Sequence, residues 1–183
     1  MCPSGKLPVT FPRHIGQVPI FYNHKNTGRP YHGSHQEPGS ERVYRSRYRD
    51  VPNTPLYPFG YGLSYSAFKY SNLVLSQDKM LGTDSIQVTV TVTNESAVEG
   101  TEIVQLYIRD LFGSVTRPVK ELKDFKKVSF KANESKTVSF IITRETLAFY
   151  RGDMTWGTEP GAFKVFVGTS SANVLEKEFE LLK

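Results

Sequence analysis

Residues 86–93 read Ile-Gln-Val-Thr-Val-Thr-Val-Thr, and this strict alternation of apolar and polar side chains decides the fold class. Successive side chains of a strand point to opposite faces, so Ile86, Val88, Val90 and Val92 form one apolar face and Gln87, Thr89, Thr91 and Thr93 one wet face. β-Branched residues at most positions favour extended backbone over helix. Outward from this stretch the period of two recurs. Phe68, Tyr70, Leu73 and Leu75 begin it upstream. Downstream, Val104, Leu106 and Ile108 alternate with Gln105, Tyr107 and Arg109, and Leu122, Phe125, Val128 and Phe130 continue across a lysine-rich surface. A tight connection at 131–135 leads into Val138, Phe140 and Ile142. A turn at Glu159-Pro160-Gly161 leads into Phe163, Val165 and Val167, and Leu175 to Leu181 closes the series with Phe179 facing in. Thr143 is placed to cap a single helical turn ending at Leu147.

About seven short strands separated by turns, with no long helix, predict an all-β protein: an immunoglobulin/fibronectin type III-like β-sandwich with an irregular N-terminal extension. The sandwich needs roughly 100 residues, and residues 66–183 supply them. The single cysteine, Cys2, rules out an internal disulfide framework, a Cys-based metal cage and the Cys…Trp…Cys core of antibody domains. Lys123, Lys126, Lys127, Lys131 and Lys136 read as edge protection and solubility.

Charge has to be located before it is interpreted. The net charge is +5. Residues 1–55 hold eight Lys/Arg against Glu37, Glu41 and Asp50, whereas residues 56–183 balance fifteen basic against fifteen acidic side chains. A nucleic-acid domain carries its basic face on the folded part, so the expected partners include no nucleic acid. No run approaches the ~18 apolar residues of a membrane span, and the opening residues lack the apolar core of a signal peptide.

The basic front part is irregular. Pro8, Pro12 and Pro19 forbid a helix across residues 5–23 and leave room for one short strand at Val18–Tyr22. This piece has apolar residues but no partner element nearby in sequence, so it reads as the torn edge of something larger, open to proteases over residues 1–50. Residues 24–55 are punctuated by Gly and Pro like a loop. His24, His32 and His35 match no standard metal spacing, and exposed loop histidines are the favoured reading. Arg42 to Asp50 interleaves Arg with Tyr, which fits a short strand with one solvated face better than a base-stacking surface. Leu56 to Tyr65 places four aromatic rings among Pro58, Gly60 and Gly62, a docked join between unlike pieces.

There is no nucleophile elbow, P-loop or dinucleotide fingerprint. The sequons at Asn94 and Asn133 fall in expected turns. Nothing fixes two carboxylates at the separation of about 5–10 Å that glycosidase chemistry requires. The residues alone therefore describe a sandwich without a catalytic constellation. A free-standing carbohydrate- or protein-binding module is the alternative; it calls for a row of exposed rings, with Tyr107, Phe149, Tyr150 and Trp156 as candidates.

Several stretches carry a family resemblance. Pro3-Ser4-Gly5-Lys6-Leu7-Pro8-Val9-Thr10-Phe11-Pro12-Arg13 with Gln17-Val18-Pro19-Ile20-Phe21-Tyr22 resembles the end of the second domain of glycoside hydrolase family 3 β-glucosidases. Leu56 to Tyr65 resembles the join before their fibronectin type III-like domain. Glu99-Gly100, Val104-Gln105-Leu106-Tyr107, Arg117 to Phe125 and Pro160-Gly161-Ala162-Phe163 resemble that domain's internal pattern. The likeness is weakest between Asn23 and Arg49.

The resemblance implies the C-terminal accessory portion of a retaining hydrolase of terminal β-glucosides, needing no cofactor and no metal. It implies residues 1–23 as the remnant of an α/β sandwich domain, 24–65 as linker and docking loop, and 66–183 as the fibronectin type III-like domain. The family's catalytic Asp and acid/base carboxylate match no position here, so no catalytic residue is assigned and the chain alone is expected to be inactive. Tyr48, Arg49, Asp50, Phe59 and Tyr61 are the expected substrate-rim residues. The implied partners are the parent's catalytic domains and carbohydrate, in a periplasmic or extracellular setting.

Overall fold

The computed structural model describes residues 2–30 and 45–183. Ten strands and one helical turn follow Ala67: β1 (Phe68–Leu75), β2 (Lys79–Met80), β3 (Ile86–Asn94), β4 (Gly100–Asp110), β5 (Glu121–Phe130), β6 (Ser135–Ile142), α1 (Arg144–Leu147), β7 (Phe149–Tyr150), β8 (Trp156–Gly157), β9 (Gly161–Gly168) and β10 (Val174–Leu181). They form a three-stranded sheet ordered β1-β3-β6, a five-stranded sheet ordered β2-β10-β9-β4-β5, and a small β7-β8 hairpin. All neighbours pair antiparallel except β10 with β2. This is the predicted sandwich.

The core lies between the two large sheets. Val88 sits opposite Phe140 and Val90 opposite Val138 in the β3–β6 ladder. These apolar faces meet Val104, Leu106 and Ile108 of β4 and Phe163, Val165 and Val167 of β9. Each large apolar side chain buried this fully stabilises the fold by about 1.5–3 kcal/mol. Thr143 caps α1 with a capping box shared with Thr146, as expected.

The parity break between Tyr70 and Leu73 has a physical origin. A bulge lies between Ser71 and Val74, where Asn72 adopts φ +50°, a conformation Asn tolerates better than most residues. Leu73 thereby turns inward and Val74 outward. In the edge strand β5 the register also shifts, opposite Leu106 and Tyr107, and Phe125 points to solvent rather than into the core.

Three other expectations need correction. Val18–Tyr22 is not a strand; the segment follows a 3₁₀ turn at Ile15–Gln17, and proline at 19 denies the ladder a donor. Residues 45–50 form no strand, and they meet the rest of the chain through an isolated bridge from Ser46 to Pro30; Arg42, Val43 and Tyr44 lie outside the described residues. Finally, Gln105 and Tyr107 do not face water. They are 3% and 0% exposed, so β4 is covered on both faces.

Candidate functional site

What covers β4 is the front of the chain. Residues 7–11 run antiparallel to residues 57–61, with Leu7 N donating to Tyr61 O at 2.8 Å, Gly60 N to Leu7 O at 2.8 Å and Phe11 N to Tyr57 O at 2.9 Å. This strap lies on the outer face of the five-stranded sheet. Gln105 Nε2 donates to Gly60 O at 3.1 Å and to Thr169 O at 2.7 Å, while its Oε1 accepts from the Tyr107 hydroxyl. Ser171 N donates to Phe59 O at 2.9 Å. The Tyr22 and Phe59 rings stack with centroids 4.2 Å apart, and both present edges to Tyr107. Gly60 has φ +79°, and a Cβ there would collide with the Gln105 side chain. The predicted docked join is thus the part of the strap that touches the sandwich.

A second anchor is ionic. Lys6 Nζ donates to Glu102 Oε1 at 3.0 Å and to Thr169 Oγ1 at 3.0 Å, and Tyr70 donates its hydroxyl to the same carboxylate at 3.1 Å. Burial and the adjacent Glu102 charge push the Tyr70 phenol well above its usual range. Within the strap, the buried Gln17 accepts from Arg13 N at 2.6 Å and donates to Pro52 O at 2.8 Å. Further along, Val119 N donates to His24 O at 2.9 Å and Arg109 to Asn26 Oδ1 at 2.9 Å. On its inner side, the described part of the leader therefore has a packing partner that the sequence reading did not expect: the sheet face that alternation assigned to solvent.

The strap's far side stays bare. Val9, Phe11, Ile15, Val18, Phe21, Leu56, Tyr57, Leu63 and Tyr65 are all at least 40% exposed. So many large apolar side chains on one short segment mark an interaction surface.

The rim candidates are distributed across this assembly. Phe59 belongs to the stack beneath the strap, and Tyr61 stacks on Tyr57 at 5.0 Å. Tyr48 is half-buried, its hydroxyl donating to Gln17 O at 3.1 Å and its amide to Asn53 Oδ1 at 3.0 Å. Arg49 and Asp50 are exposed. Among the described residues no group of three or more His, Cys, Asp or Glu is placed to hold a metal; His32 and His35 lie outside those residues. The four-ring sugar platform is not formed. Tyr107 and Phe149 are buried, Phe149 beneath the Arg117 guanidinium at 4.1 Å, and an edge-to-face pair of Tyr150 and Trp156 is what stays exposed. Lys6, Gln17, Glu102 and Gln105 are residues that sequence reasoning missed. Their one signal is that Glu102 and Gln105 flank the apolar pair Ile103-Val104 in β4.

The comparisons with known proteins fit this geometry. The fibronectin type III-like domain family (Fn3-like) matches residues 102–171. The periplasmic β-glucosidase of Salmonella typhimurium is 48% identical over 180 residues, 98% of this chain and 23% of the relative. The chain matches the C-terminal, fibronectin type III-like portion of β-glucosidases. A putative β-xylosidase of Formosa agariphila is 45% identical over 99% of this chain and 22% of its own length. The crystal structure of a Listeria innocua β-glucosidase in complex with glucose superposes with a TM-score of 0.90 at 44% identity, covering 100% of this chain and 25% of that one. The chain thus spans about a quarter of the family members it matches.

Proposed function

We propose that this chain is the accessory portion of a retaining β-glucosidase, holding a preformed docking face for catalytic domains that carry the nucleophile and the acid/base carboxylate. The observation that carries this is the two-sidedness of the strap: one side is pinned to the sandwich by Gln105 and Glu102, and the other presents bare apolar residues. Burying that side against a catalytic domain supplies the contact it lacks here. In this reading residues 1–23 close the α/β domain, 24–65 connect and dock, and 66–183 are the sandwich. Tyr48, Arg49, Asp50, Phe59 and Tyr61 are the residues assigned to the rim of the sugar cleft, with Arg49 and Asp50 exposed to reach it. The setting is periplasmic or extracellular, in keeping with the Salmonella relative's name. Among the described residues no helix is long and apolar enough to cross a membrane.

The test is a hybrid enzyme in which this sequence replaces the matching segment of the Salmonella β-glucosidase. Soluble protein that cleaves aryl β-glucosides is the expected result, with the 183-residue chain inactive by itself. A folded hybrid without turnover, or turnover by the chain alone, would overturn the proposal. Arg49→Ala and Asp50→Ala in the active hybrid are expected to raise KM; unchanged KM and kcat for both would remove the rim assignment.

A further inference from the structure

Between the strap and the β4–β5 connection lies a pocket of about 240 Å³. Its walls are mostly apolar, from Ile20, Phe21 and Pro55 on the strap side and Val119 on the sandwich side. Two polar groups stand out in it. Lys120 Nζ lies 4.3 Å from the centre of the Phe166 ring and donates to Ser171 O, and among the described residues no carboxylate comes within ion-pair distance of it. The Thr10 hydroxyl is buried with no hydrogen-bond partner, and Thr10 is 7% exposed. A half-buried ammonium held by a carbonyl and packed on two aromatic rings has lost hydration without gaining an ion-pair contact. The unmade hydrogen bond at Thr10 adds an unsatisfied donor on the strap side of the same pocket.

We infer that this pocket is a binding site for a small organic carboxylate of sugar-acid size, whose carboxylate pairs with Lys120 and takes the Thr10 hydroxyl as a second donor. The volume matches a single pyranose ring with its substituents, and the apolar walls suit the C–H faces of such a ring. One ammonium neutralises a monoanion, with the hydroxyl as an uncharged donor; a phosphate dianion brings more charge than that one ammonium can match. Burial lowers the Lys120 pKa to about 8, with Glu176 of β10 raising it and Arg109 of β4 lowering it further. His24 lines the pocket, and Tyr22 and Tyr107 flank it. A bound carboxylate would reverse part of that shift, so binding takes up protons near pH 8. The inference concerns the sandwich–strap seam and does not depend on the catalytic assignment.

The experiment titrates the full 183-residue chain with glucuronate, glucose and inorganic phosphate, reading amide NMR shifts and calorimetric affinity. The expected result is that glucuronate shifts the amides of Val119, Lys120, Ser171 and Ala172, with glucose and phosphate at least tenfold weaker. Lys120→Met is expected to weaken glucuronate at least tenfold and Thr10→Val severalfold, each variant first checked for folding by near-UV circular dichroism. No glucuronate shift at those amides overturns the site, as does equal binding of glucose or phosphate, or full affinity in Lys120→Met. If Lys120→Met does not fold, the ranking of the three ligands and the Thr10→Val result decide the matter on the remaining folded proteins.

Discussion

Lys6 and Glu102, 96 residues apart in sequence, form an ion pair of 3.0 Å in which the lysine side chain is 12% and the glutamate side chain 3% exposed. The pair joins the leader to β4 at a place where neither charge reaches bulk water. Removing one partner strands the other, and breaking a buried pair this way costs about 3–5 kcal/mol. Glu102→Ala is therefore expected to lower the urea midpoint sharply, since Tyr70 loses a partner as well. Lys6→Met, which leaves Glu102 its Tyr70 contact, is expected to cost less. Equal midpoints for Glu102→Ala and wild type would show that the pair does not hold the leader.

Gly60 tests the strap directly. Its φ of +79° disfavours any side chain, and a Cβ would displace the Gln105 amide that grips Gly60 O. Gly60→Ala is expected to cost about 1–3 kcal/mol. The wild type is expected to resist limited proteolysis between residues 5 and 22, and the variant to be cut there first. Identical digestion patterns would count against a latched strap.

Lys120 makes a pH-dependent contribution whose sign follows from its burial. Its folded pKa of about 8 lies below the ordinary value of 10.5, so between those values the unfolded chain binds more protons than the native one. Stability then rises with pH across that window. Tyr70 and Tyr107, whose phenols burial raises, act in the opposite direction from about pH 10 upward. Chemical denaturation of wild type and Lys120→Met, compared from pH 8 to that point, is expected to give a steeper rise for wild type. Parallel profiles would refute it.

Trp156 reports on the hairpin. It is the one tryptophan of the sequence, 51% exposed, with its indole N–H donating to Glu145 at 3.2 Å. Acrylamide is expected to quench its emission efficiently in the native protein. Glu145→Ala is expected to increase that quenching while changing stability by no more than about 0.5 kcal/mol, as for surface substitutions generally. A native indole shielded from the quencher would show that something else packs on the β7–β8 hairpin.

The sandwich was legible because a strand covered on one face writes its burial as alternation, and Ile86 to Thr93 does so without interruption. The bulge at Asn72 was not foreseen, although Tyr70 and Leu73 are an odd number of residues apart and break the period of two. Gln105 and Tyr107 were misleading for the same reason that Val88 was clear: alternation records polarity, and a polar side chain facing a strap looks like one facing water. Glu102 and Lys6 could not be paired from sequence, since nothing local links residues so far apart. The strap's register depends on Gly60 meeting Gln105, a contact between a loop and a strand that carries no periodic signal. Within the rim set, Phe59 was found as a ring that packs, but which side of the leader it served depended on Tyr22 lying over it.

The two covered faces of β4 bear on how this piece can be moved between proteins. A gene fusion that starts at Ser66 would carry a complete set of strands yet leave Gln105 and Tyr107 without their cover, with the Gln105 amide stripped of Gly60 and Glu102 stripped of Lys6. A fusion that keeps the leader from Gly5 onward keeps both anchors.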